Sequence, residues 1–345
     1  MIRNVILVLL MLTVIASVHE AGHMLTARAF GAGVIEYAVG IGPALVKRRF
    51  GGTQYSLRVL PLGGFCRLKD IDEKDCDKTK GRCLRDLPHW QQALVMLAGP
   101  LSNLALALAV CTLSVLIYGY YPPEISSVPE GGAAYGILQE GDLITSIDGH
   151  RTRMLEDASE LIASSEDGTV TVGFERDGRP MTAAIRMKET EEGRKLGIVF
   201  ALDRKRCSPA GILPCGLERA RYQTWTIVKA LRDAVLGSKK VQLAGVVGVA
   251  SEVGSVMDSA SPGQGLDIME LFLTVVSILS INIGLINALP LPVLDGGRTA
   301  FIIAEGLTGR DLKAQQDAAN GIGMLVIIAI FAYAFYSDFI NYIWR

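Results

Sequence analysis

His19-Glu20-Ala21-Gly22-His23 closes an apolar run, Val5 to Val18, that contains no charged residue. On a helix, residues four apart share a face. His19 and His23 can therefore present ring nitrogens to one metal ion, roughly 6 Å apart along the axis at 1.5 Å per residue. Glu20, one residue on, is placed to reach a water on that metal rather than the metal itself. Two imidazoles and a carboxylate in this order suit metal-assisted hydrolysis of a peptide bond. The plainer reading is a buried, hydrogen-bonded histidine pair, but ionisable groups at membrane depth are costly and mark function.

A catalytic metal of this kind needs a third protein ligand and an open position. The candidate is Asp295, in Asn287-Ala-Leu-Pro-Leu-Pro-Val-Leu-Asp-Gly-Gly297. Pro290 and Pro292 break a helix, and the two glycines after Asp295 permit a tight turn. Such irregular backbone at the end of an apolar segment is tolerated only where protein or a water-filled cavity shelters it. The alternative is that Asp295 only caps the connection to the next segment.

These residues need elements that hold them at depth. The chain has 345 residues, 50% of them hydrophobic, and a mean hydropathy of +0.34, which points to a membrane protein. Four segments read as spans, at about 5–28, 93–118, 271–289 and 321–340, each long enough for roughly 30 Å of hydrocarbon. The loop at 29–92 holds eleven Lys or Arg and is expected on the cytoplasmic side. The short loop with Arg298, Arg310 and Lys313 should share that side, which puts 121–269 and both termini outside the cytoplasm. Arg3, the apolar run and Ala16-Ser17 also resemble a signal peptide, but cleavage there would part the histidines from their anchor. A net charge of -1 offers no field for nucleic acid.

Residues 122–202 read as a soluble β-domain, with short β-rich runs and turn signals such as Asp177-Gly178. Gly136 to Gly149 resembles a PDZ domain, a fold that binds extended peptide by strand addition; any other small β-domain is the alternative. Residues 217–236 have helical periodicity and suit either an interfacial or a solvated helix. The expected organisation is a membrane core half at 1–120, a PDZ domain at 121–203, a linker with an interfacial helix at 204–268, and a second core half at 269–345. Among the six cysteines, Cys66, Cys76 and Cys83 lack zinc-knuckle spacing. Cys207 and Cys215 suit a disulfide if their loop faces an oxidising compartment.

H-E-x-G-H at 19–23 and N-x-x-P-x-P-x-L-D-G-G at 287–297 together resemble the site-2 protease family of intramembrane zinc metalloproteases, above all its bacterial regulator-of-sigma-E group. Gly40-Ile-Gly-Pro43, Leu60-Pro-Leu-Gly-Gly-Phe65, Ala98-Gly-Pro100 with Asn103, and Gln242 to Val249 are similar to further family segments. The resemblance implies a multi-pass α-helical membrane protein with four transmembrane helices, a membrane-associated β-hairpin and one extracytoplasmic PDZ-like β-rich domain. It implies one Zn2+ per chain on His19, His23 and Asp295, with Glu20 as general base and acid. Asn287, Pro290 and Pro292 would help hold the substrate backbone. Gly63, Gly64 and Phe65 would lie on the hairpin that pairs with an unwound substrate, an ordinary turn being the alternative for the two glycines.

The implied setting is the bacterial cytoplasmic (inner) membrane. The implied partners are the lipid bilayer, a single-span membrane protein such as an anti-sigma factor, remnant signal peptides, and an upstream site-1 type protease that shortens the substrate first; no nucleic acid is expected. The chain departs from the family in having room for one PDZ domain where two are common, in Arg298 where histidine is frequent, and in Val246 where Gly-Pro is usual. A non-catalytic PDZ scaffold would not need Glu20. A metal transporter would want ligands strung along a pathway rather than one compact set.

Overall fold

The computed structural model describes residues 2–69, 80–165, 168–190, 193–236 and 268–338. The chain divides into two compact units, Met1–Val110 with Ile227–Arg345, and Cys111–Thr226.

The first unit is built on long apolar helices. Helix α1 (Ile2–Ala29) ends where Gly31 takes φ +80°. The Ala32 N–H then bonds the Ala27 carbonyl and the Gly31 N–H that of Arg28, a Schellman close that satisfies carbonyls left free by the last turn. Helix α2 (His89–Tyr118) carries Pro100 internally, and α5 (Ile268–Ala288) follows much later in the chain. Among the described residues, three helical stretches are long and apolar enough to cross a membrane: Val5–Ala29, His89–Tyr118 and Met269–Ala288. Met11 and Ile15 of α1 meet Val276 of α5, with Leu106 and Val110 of α2 packed alongside.

Glycine sets how closely these helices approach. A β-carbon on Gly22 would fall 2.4 Å from the Ala98 carbonyl oxygen, and one on Gly284 3.1 Å from that of Pro100. Apolar helices in lipid gain little from mere burial, so close backbone packing at small residues holds them together.

The polar loop expected at 29–92 contains a long hairpin, β1 (Val34–Phe50) and β2 (Thr53–Leu68). Gly51 and Gly52 join the strands at φ +61° and +89°, as a two-residue hairpin loop requires. Both strands bend, so Val39 pairs with Leu57 on one side and Gly64 on the other. The stretch 70–79, which includes Cys76, lies outside the described residues, as does the family-like segment 242–249.

The expected connection between the third and fourth spans holds a helix that the sequence reading did not anticipate, α6 (Asp295–Thr308). The prolines and glycines had suggested irregular chain. The glycines instead sit in the first turn, where backbone N–H groups have no intrahelical partner in any case. The expected fourth segment lies on α7 (Lys313–Asp338), which exposes Ile322, Leu325, Val326 and Ile328.

The second unit holds a four-stranded sheet in the order β5 (His150–Arg151), β4 (Leu143–Ile147), β6 (Thr169–Arg176), β7 (Arg179–Arg186). Helix α3 (Leu155–Ser164) follows β5. Outside the sheet, β3 (Ile125–Ser127) pairs with β10 (Val199–Phe200), and β8 (Lys188–Thr190) with β9 (Gly193–Lys195). Asp177-Gly178 turns at φ +52° and +75°, the hairpin loop that its sequence predicts. Phe174, Ile144, Ile147, Val170 and Val172 form the core, each large side chain contributing roughly 1.5–3 kcal/mol by leaving water. Helix α4 (Ile212–Val235) covers the periodic segment expected near 217–236. Cys207 and Cys215 are free thiols rather than a disulfide. Burial and the neighbouring Cys215 push the Cys207 thiol up to about 12, so it stays protonated and poorly nucleophilic.

Candidate metal centre

One turn of α1 brings the Nε2 atoms of His19 and His23 to 3.2 Å from each other. Asp295, 276 residues from His19 in sequence, opens α6 and places Oδ2 2.8 Å from His19 Nε2 and 3.3 Å from His23 Nε2. Both histidines are buried and Asp295 is half-buried. Donor atoms about 2.1 Å from one tetrahedral ion stand roughly 3.4 Å apart, so these three need spread by only tenths of an ångström to hold one.

The backbone around the triad leaves room for an ion. A β-carbon on Gly99 of α2 would fall 2.3 Å from His23 Nε2 and 2.6 Å from His19 Nε2. The Ala-Gly-Pro segment therefore presents bare backbone to both rings. On the other side of the rings, His23 Nδ1 donates to the Val95 carbonyl at 2.7 Å, an acceptor-only group that leaves the Nε2 lone pair facing inward. His19 Nδ1 is 3.2 Å from the side-chain amide of Asn103. Two nitrogens and a carboxylate oxygen, with their rings braced from behind, form a donor set suited to a divalent ion such as Zn2+.

Glu20 leaves the metal-facing atoms to its neighbours. Its Oε2 accepts the Cys66 N–H of β2 at 2.8 Å. The hairpin thus touches the site through its backbone. Nearby, the Gly63 N–H points at Thr13 Oγ1 over 3.4 Å, and a β-carbon on Gly64 would fall 2.6 Å from the Ala38 carbonyl oxygen. Phe65 lies under the Arg58 guanidinium, 4.7 Å from ring centroid to Cζ. The expected Gly63-Gly64-Phe65 stretch therefore runs as strand beside α1, not as an isolated turn.

Asn287 sits half-buried near the end of α5, with exposed Pro290 and half-buried Pro292 in the turn that leads to Asp295. Gly296 and Gly297 are sterically required there. A β-carbon on Gly296 would lie 2.3 Å from the Ala288 carbonyl oxygen, and one on Gly297 2.0 Å from that of Leu291. The motif's glycines thus serve close packing against the preceding turn.

The model of peptidase family M50 matches residues 7–330, which takes in all three triad residues, Glu20 and the hairpin. The chain belongs to peptidase family M50. This agrees with the site-2 protease resemblance and makes the chain a peptidase by family. Among curated relatives of the M50 chain, the metalloprotease MmpA of Caulobacter vibrioides is 26% identical over 97% of this chain and 94% of its own length. The zinc metalloprotease RasP of Geobacillus kaustophilus is 25% identical over 93% and 94%. Among solved structures, the PDZ domain of the SdrC-like protein from Listeria innocua matches 24% of this chain and 97% of its own, at 29% identity and a TM-score of 0.22.

Sequence reasoning missed several residues around this candidate metal centre. Gly99 and Asn103 were noticed only as family-like positions, because neither carries a donor spacing of its own. Asn320 Oδ1 accepts the Val293 N–H at 2.9 Å, and a β-carbon on Gly323 would fall 2.8 Å from Pro292 Cβ. Helix α7 therefore clamps the turn before Asp295. The one available signal was an asparagine and two glycines opening an apolar span.

Proposed function

We propose that this chain is an intramembrane zinc metallopeptidase that cuts single-span membrane proteins within or near their transmembrane segments. The observation that carries it is the convergence of His19, His23 and Asp295, with His19, Glu20 and His23 on a helix that is apolar and long enough for a bilayer and Asp295 at the first residue of the short helix α6. His19 and His23 would hold the metal through Nε2, and Asp295 through Oδ2. Zinc, when bound, supplies a Lewis acid that activates water and polarises the scissile carbonyl. Glu20 takes the proton from the attacking water and delivers it to the leaving amine. The Cys66 N–H orients that carboxylate.

A helical peptide bond is sheltered by its own hydrogen bonds, so the substrate must be drawn out before attack. The β2 edge around Gly63, Gly64 and Phe65 offers replacement backbone hydrogen bonds. Asn287, with Pro290 and Pro292, holds the substrate backbone from the opposite motif. On this reading α7 completes four spans, and the 29–92 loop faces the cytoplasm. The β-domain and both termini lie on the extracytoplasmic side of the inner membrane. There a PDZ-like domain screens substrates already shortened by a site-1 type protease, an anti-sigma factor and remnant signal peptides being the expected classes.

The test is cleavage of a pre-truncated, single-span reporter in cells making wild-type protein or Glu20→Gln, paired with a zinc count on both purified proteins. Cleavage by wild type alone, with zinc in both, supports the proposal. Equal cleavage by the Gln variant removes Glu20 from the chemistry, and a wild-type protein without zinc removes the metal centre.

A further inference from the structure

We propose that Asn103 is a positioning residue for the metal centre, accepting the Nδ1–H of His19 through its side-chain carbonyl and so turning the His19 Nε2 lone pair toward the metal. This rests on the proposed zinc-binding role of the triad.

Asn103 is fully buried in the middle of α2. Its main-chain carbonyl accepts the Ser280 hydroxyl at 2.8 Å, which ties that turn of α2 to α5. Its amide nitrogen stands 3.2 Å from His19 Nδ1, while Oδ1 is buried with no hydrogen-bond partner among the described residues. In that orientation the amide donates, His19 Nδ1 must accept, and the ring proton sits on Nε2. A protonated Nε2 has no lone pair for a metal, although it is the atom that faces His23 and Asp295.

Rotating the carboxamide by half a turn resolves both difficulties. The nitrogen and oxygen of an asparagine amide occupy nearly the same volume, and their assignment follows from the hydrogen-bond network. After rotation, Oδ1 meets the Nδ1–H, so the idle acceptor gains a donor and Nε2 is free to ligate. His23 already has this arrangement, with the Val95 carbonyl as its acceptor. The two metal-facing histidines are then braced alike, one by backbone and one by Asn103. Such outer partners fix ring orientation and tautomer, and their loss typically costs about 10–100-fold in metal affinity.

The experiment is zinc affinity by chelator competition on the full chain in detergent, for wild type, Asn103→Leu and Asn103→Asp, with thermal unfolding of each metal-stripped protein. The Leu variant is expected to bind zinc about 10–100-fold more weakly while its metal-free unfolding temperature stays close to wild type. Asp keeps the acceptor and removes the donor, so it is expected to retain wild-type affinity or better. Wild-type affinity in the Leu variant overturns the assignment. So does an Asp variant that binds more than 10-fold more weakly than wild type, because that would make the donor the working group. If the Leu variant does not fold, the comparison of Asp with wild type decides alone. A wild-type chain that binds no zinc would instead sink the metal centre itself.

Discussion

Gly99 on α2 faces His23 on α1 so closely that an added β-carbon would sit 2.3 Å from His23 Nε2. That point lies on the metal side of the ring. Gly99→Ala should therefore displace the imidazoles or the ion. We expect zinc affinity to fall by at least 100-fold and cleavage to fall with it, while membrane insertion persists. Chelator competition and reporter cleavage measure both. Full zinc occupancy at wild-type affinity would mean that the helices part easily at this crossing.

Asn320 and Val293 make a second such pair. Val293 is β-branched yet holds φ +76°, a conformation that costs of order 1–3 kcal/mol and persists only where its surroundings impose it. The Asn320 carbonyl oxygen takes its N–H. Asn320→Ala should lower stability by about 1–2 kcal/mol and weaken zinc binding, because the turn leads directly into Asp295. Adding Val293→Gly to that variant should recover stability, since glycine adopts positive φ freely. Thermal unfolding of the single and double variants measures the effect. A double variant no more stable than the single one would show that the turn is unstrained.

In the β-domain, Arg176 Nε and Nη2 each donate to Asp142 at 2.7 Å, and the Gln139 N–H adds a third bond. Burial alone would push the Asp142 carboxyl up, but Arg176 and Gln139 outweigh it and hold the carboxyl below its usual range. The unfolded value is about 3.9. A folded value below it means that the pair contributes stability above that pH and loses it as pH falls through the folded value. Asp142→Asn should thus be less stable than wild type at pH 7, with the gap closing as pH drops below about 4. Unfolding temperature followed against pH reads this. A gap that stays constant down to low pH would assign the loss to packing rather than charge.

Much of the site was legible in the chain because it is local. The four-residue spacing of His19 and His23 places both on one face of any helix, whatever surrounds it. In the β-domain, the Asp177-Gly178 turn needs positive φ at adjacent positions, which those residue types accept. Helix α6 was not legible, because Gly296 and Gly297 read as breakers until the carbonyls of Ala288 and Leu291 are seen to exclude any side chain there.

What the sequence alone determined is the chemistry on offer: two imidazoles, a carboxylate one residue beyond the first, and a distant aspartate in a proline- and glycine-rich turn. Tertiary structure decided which groups meet. Packing of α1 against α2 brought Gly99, Val95 and Asn103 to the two rings, and α7 clamped the turn that delivers Asp295. Contacts between residues far apart in the chain depend on backbone approach and hydrogen-bond satisfaction across helices, and no periodicity within a single segment encodes them.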